Sequence, residues 1–81
     1  MKLLDTVQLM LSNDYKDRFL SEYMQLKIRY DKLKAMCDKW DNCKLDFEPT
    51  CPREIYNEQL NYMFSYLCVL EERAQLEGVV L

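Results

Sequence analysis

The sequence predicts an all-α protein: an antiparallel helical hairpin with a short N-terminal helix, its copies associating into a homo-oligomeric helical bundle. Three observations predict it. Of 81 residues one is Gly and two are Pro, so the turn formers that a sheet spends at each connection are missing. Apolar residues make up 49% of the chain and aromatics 12%, too many for a disordered segment. Those apolar residues recur at spacings of three and four, the period of a helix face.

Residues 1–81 read as a single helical domain. Residues 1–11 form a short amphipathic helix carried by Leu3, Leu4, Val7, Met10 and Leu11. Ser12-Asn13-Asp14 interrupts it and supplies three residues able to cap the next helix. The long helix 14–40 places Phe19, Tyr23, Leu26, Tyr30, Leu33, Cys37 and Trp40 at intervals of 4, 3, 4, 3, 4 and 3. That is a heptad seam with no Gly or Pro to break it, on a helix roughly 40 Å long.

Residues 41–51 form the connection, with Leu45 and Phe47 expected to fold back onto the core. Pro52 suits the first position of a helix and Glu54 its first turn. The second long helix, 52–77, repeats the seam with Tyr56, Leu60, Met63, Leu67, Leu70 and Ala74. Gly78 is placed to close it in the left-handed conformation, and the apolar tail 78–81 is expected to pack.

A hairpin buries one seam per helix, yet Met24, Ile28, Met36, Ile55, Tyr62, Tyr66 and Val69 lie off both seams. Soluble monomers seldom expose large apolar patches, so self-association is expected to cover these side chains. The N-terminal helix and the tail are the alternative covers within one chain.

Composition also narrows the function. The chain has no His, so imidazole can serve neither as a base nor as a metal ligand. Cys37, Cys43, Cys51 and Cys68 form no close C-x₂₋₄-C pair, which argues against a structural zinc site. No small-residue cleavage site follows the N-terminal leucines, so a reducing compartment without disulfides is expected. Cys37 and Cys68 then serve as small hydrophobes. A single glycine forbids a Gly-rich phosphate loop, and Glu71-Glu72 is the one adjacent carboxylate pair, its members pointing apart on a helix. Neither catalytic residues, metal nor cofactor is expected, and the chain does not read as an enzyme. No stretch of about 18 apolar residues spans a membrane.

The net charge of −3 disfavours DNA as a partner. Its distribution is uneven. Residues 16–40 carry seven basic and four acidic side chains, a local +3, whereas residues 52–77 carry two and five, a local −3. In this stretch and just before it, Tyr15, Arg18, Lys27, Arg29, Tyr30, Lys32 and Lys34 alternate rings with cations. Rings stack on bases and cations hold phosphates. The same residues also suit a seam tyrosine and a solvated helix face, and composition alone leaves both readings open.

Motifs decide between them. The string Tyr15-x-x-Arg18-x₃-Glu22-x₃-Leu26 runs on to Lys32-Leu33. It is followed by Gln59-Leu60-x-x-Met63-x-x-Tyr66-x-x-Val69-Leu70-Glu71-x-Arg73. Together these resemble the small helical phage proteins that act as cyclic-nucleotide sponges against the CBASS defence, over about Asp14 to Glu77. The resemblance implies a homohexamer of helical hairpins whose interfacial pockets sequester cyclic dinucleotides (cGAMP-like) or cyclic trinucleotides (cyclic tri-adenylate-like). The ligand is held without cleavage, in the bacterial host cytoplasm, so that the immune effector stays off.

Position by position, the resemblance implies that Tyr15 stacks on a base and that Arg29 or Lys32 binds phosphate. It associates Arg73 with the trinucleotide pocket. Arg18 also falls on a recurrent position, with Glu22 four residues on as its alternative partner. Two departures stand out: the long connection holding Cys43, Pro49 and Cys51, and the extension before Ser12. The rival reading is a helical protein-interaction module that docks on and inhibits a host protein.

Overall fold

The computed structural model describes residues 1–81. A 3-10 turn, Leu3–Thr6, leads into one helical turn, α1 (Val7–Met10); the long helices α2 (Tyr15–Asp41) and α3 (Arg53–Glu77) follow, and there are no strands. Cross-helix pairs run in opposite senses along the chain: Tyr15 with Glu77, Tyr23 with Glu71, Tyr30 against Phe64, and Trp40 against Tyr56. The long helices therefore form an antiparallel hairpin, 43 × 24 × 17 Å in extent.

Local chemistry sets where the helices start and stop. Asp14 is extended and its carboxylate accepts from the Lys16 N–H at 3.0 Å, capping α2. At the far end Cys43 adopts a left-handed φ of +57°, and the N–H groups of Cys43 and Lys44 return to the carbonyls of Trp40 and Lys39. Pro52 occupies the N-cap of α3, one position before the one expected, and Gly78 closes that helix at φ +72°. There a side chain at Cβ would strain the backbone.

The two heptad seams face each other as expected: every seam residue is buried or half-buried. The tightest packing lies toward the open end of the hairpin, where Phe19, Leu70, Ala74 and Val79 cluster with Tyr23 and Leu26. Cys37 is buried farther along the seam. At the closed end Arg53 grips Asp41 through two 3.1 Å contacts and lies 5.9 Å over the Trp40 ring.

Several expectations are corrected. The short N-terminal helix forms over residues 3–10, but its first turn is 3-10, and Leu4, Met10 and Leu11, expected on its apolar face, are exposed. Asp5 instead accepts from the Lys2 N–H at 2.8 Å, and the Thr6 hydroxyl bonds back to the Leu3 carbonyl at 2.7 Å. These local bonds hold a 3-10 turn and bury Thr6. In the connection Leu45 is half-buried, but Phe47 is 54% exposed. Cys68 is exposed, being one step off the seam residue Leu67. Only Val79 of the tail packs; Val80 is 89% exposed.

The off-seam residues divide by helix. Met24, Ile28 and Met36 of α2 are half-buried, and the N-terminal segment packs along that helix alone. Ile55, Tyr62, Tyr66 and Val69 of α3 are exposed, joined by Leu76. Ile55, Tyr62, Val69 and Leu76 are seven residues apart, a second heptad stripe roughly a third of a turn round α3 from the buried one. No helix is long and apolar enough to cross a membrane.

Candidate anion-binding site

A cavity of about 490 Å³ opens beside the first half of α2, lined by Met10, Arg18, Ser21, Glu22, Gln25, Leu26 and Arg29. The α2 members recur at steps of three and one, which sets them on one face of the helix. That face is the polar flank of the basic stretch, carrying two arginines. Arg18 donates to the Ser12 carbonyl at 2.8 Å, not to Glu22. Glu22 instead accepts from the Tyr66 hydroxyl of α3. Arg29 has no hydrogen-bond or ion-pair partner in the chain, so its guanidinium is available to an anion.

Lys32 is exposed and lies outside this cavity. Of the two, Arg29 alone lines the cavity. Lys27, another cation of the stretch, pairs with Asp31 at 3.3 Å and stands 6.0 Å over Tyr30.

Tyr15 and Arg73 meet at the open end of the hairpin, on the first turn of α2 and the last turns of α3. The Tyr15 hydroxyl donates to Glu77 Oε1 at 2.7 Å and accepts from Arg73 Nη2 at 2.9 Å. Arg73 Nε donates to Glu77 Oε2 at 3.0 Å, closing a three-membered ring of contacts. The Arg73 guanidinium lies 5.0 Å over Phe19, whose ring meets Tyr15 edge-on.

The electrostatics follow from this ring. The Glu77 carboxylate holds the Tyr15 phenol above its ordinary range, with desolvation acting the same way. The Tyr15 hydroxyl, and then Arg73, hold the Glu77 carboxyl below its own. Arg73 and Tyr15 are thus both engaged by the Glu77 carboxylate, whereas Arg29 is free.

The structure thus brings Arg18 together with Arg29, and Tyr15 with Arg73, and leaves Lys32 apart. Sequence reasoning missed Met10, Ser21, Gln25 and Glu77. The available signal was Ser21 and Gln25, two small or amidic residues four apart on a face too polar for the seam and uncharged among cations.

Among known proteins, the family model described as Sequestin matches residues 13–76. No curated protein and no solved structure matches the chain. The matched span takes in both long helices nearly whole, with Tyr15, Arg18, Arg29, Lys32 and Arg73 inside it, and the chain belongs to the Sequestin family.

Proposed function

We propose that this protein is a phage anti-defence sponge that binds and sequesters cyclic oligonucleotide second messengers, making and breaking no bond, and so blocks CBASS-type immune signalling. Membership of the Sequestin family supports the sequestering role. The observation that carries the ligand class is the cavity of α2. In a chain of net charge −3 it gathers two arginines, one of them unpartnered, beside hydroxyl and amide groups. Planar guanidinium groups suit the phosphates of a compact cyclic nucleotide. Tyr15 offers a half-exposed ring for a base, with Arg73 beside it.

Self-assembly completes the reading. The exposed stripe of Ile55, Tyr62, Val69 and Leu76 is built as a helix-packing seam, and Arg73 lies on its flank. A second copy docked there covers the stripe and brings its own cations toward the first copy's, which matches the symmetry of a cyclic ligand. The homohexamer is one closed form of such an assembly.

Calorimetric titration with a panel of cyclic di- and trinucleotides, beside light scattering for mass, tests this reading. It expects saturable binding by an oligomer and a loss of about tenfold or more for Arg18→Ala or Arg29→Ala. Silence across the panel at high micromolar concentration overturns it. A stoichiometric host protein captured by the exposed stripe, without nucleotide, would favour the protein-docking alternative.

A further inference from the structure

All but one of the side chains lining the α2 cavity come from a single face of a single helix. A helix face is convex, so by itself it encloses nothing. The concavity exists because the segment before α2 lies alongside and supplies the other wall, with Met10 at its rim. That segment, residues 1–12, is outside the span that matches the family model.

The bonds that hold the segment come from the cavity wall itself. Ser21 Oγ donates to the Thr6 carbonyl at 3.2 Å, and Gln25 Nε2 donates to Thr6 Oγ1 at 3.0 Å and to Met10 Sδ at 2.9 Å. Arg18 fastens the following turn through the Ser12 carbonyl at 2.8 Å. Thr6 and Ser21 are fully buried, so this polar contact is shielded from water and fixed in place. Four of the chain's own cavity residues (Arg18, Ser21, Gln25 and Met10) thus serve the wall and the site at once.

From this we infer that the N-terminal segment is the specificity wall of the anion site: Met10 limits the size of ligand admitted, and the Thr6–Ser21–Gln25 contact sets where that limit stands. The inference rests on the sponge reading for its ligand class and adds the residues that choose among ligands. A pocket near 490 Å³ lies within the ordinary range of small-ligand sites, where removal of one rim side chain changes what fits. Binding also couples to the segment, because an anion that draws Arg18 inward competes with its bond to Ser12.

The test compares the wild-type protein with Met10→Ala and Thr6→Val, using cyclic di-adenosine monophosphate and cyclic tri-adenosine monophosphate as probes in calorimetry. Met10→Ala is expected to shift the affinity ratio of the larger to the smaller probe upward by about tenfold. Thr6→Val removes the Gln25 acceptor and weakens both probes by about three- to tenfold, while amide exchange across residues 3–11 accelerates. Helix content by circular dichroism stays unchanged in both, since α2 and α3 pack without this segment. If both variants bind both probes as wild type does, the wall inference is wrong and the sponge reading stands. If wild-type protein binds neither probe nor any other cyclic nucleotide, both fall together.

Discussion

Arg73 Nη2 donates to Tyr15 Oη at 2.9 Å, fastening the last turns of α3 to the first turn of α2 across 58 residues of chain. Glu77 accepts from both partners, so the open end of the hairpin is closed by a polar clasp directly above the Phe19 core. The clasp joins the two residues that the family resemblance picked from opposite ends of the sequence.

The clasp makes stability depend on pH at both extremes. Glu77 has a lowered carboxyl, so its contribution is complete above the ordinary glutamate range and disappears as pH falls through its folded value. Tyr15 has a raised phenol, so its share is complete below the ordinary tyrosine range and disappears as pH rises through its folded value. Thermal melts of wild type and Glu77→Gln should differ at neutral pH and converge in acid. A gap that stays constant into acid would show that the clasp contributes nothing through Glu77.

Leu70→Ala should cost about 2–5 kcal/mol of unfolding free energy, because Leu70 is fully buried against Phe19 and Ala74. Val80→Ser should change it by no more than about 0.5 kcal/mol, since Val80 is almost wholly exposed. Urea titrations of both variants check the pair. Equal costs would mean the tail is packed and the core is not where it stands here.

Arg29→Ala should weaken cyclic-nucleotide binding about ten- to a hundredfold, the worth of a charged hydrogen bond. Lys32→Ala, three residues on but outside the cavity, should change it less than about twofold. Parallel calorimetry of the two variants resolves the register. Larger loss in Lys32→Ala would place phosphate elsewhere on α2.

Tyr62→Glu together with Val69→Glu puts two like charges on the exposed α3 stripe without touching the buried seam. Light scattering should record a fall in mass while circular dichroism keeps the full helix signal. An unchanged mass would free the stripe from any role in self-assembly.

Much of the hairpin was legible because one physical rule dominates it. Phe19 to Trp40 and Tyr56 to Ala74 repeat at helix spacing with no breaker, and such a pattern has one way to bury itself. Gly78 was readable as a cap, and Asp14 as one of three candidates with Ser12 and Asn13, because each of these residue types satisfies a specific backbone need. The packing of the N-terminal helix was not, because it turns on Thr6, whose burial depends on hydroxyl and amide partners fifteen and nineteen residues away. Periodicity carries no information about such contacts. Cys68 failed on a finer scale, where one residue round the helix separates the buried Leu67 from solvent.

Charge and ring content singled out Tyr15, Arg18, Lys27, Arg29, Tyr30, Lys32 and Lys34 together, and the resemblance narrowed these to Tyr15, Arg18 and Arg29 or Lys32 and added Arg73. Which arginine stays free was beyond reach, since Arg18 is tethered by a backbone carbonyl and Arg73 by a carboxylate, neither visible in residue types. The cavity itself arises from two segments lying side by side, a tertiary fact.

The most direct measurement is recovery of ligand after capture. Purified protein is mixed with a cyclic dinucleotide and, separately, a cyclic trinucleotide, the free fraction is measured by equilibrium dialysis, and the loaded protein is boiled and its released contents chromatographed. A sponge depletes at least one free messenger and returns it in unaltered form. Full recovery of every messenger in the free fraction, or release of a cleaved product, would contradict it.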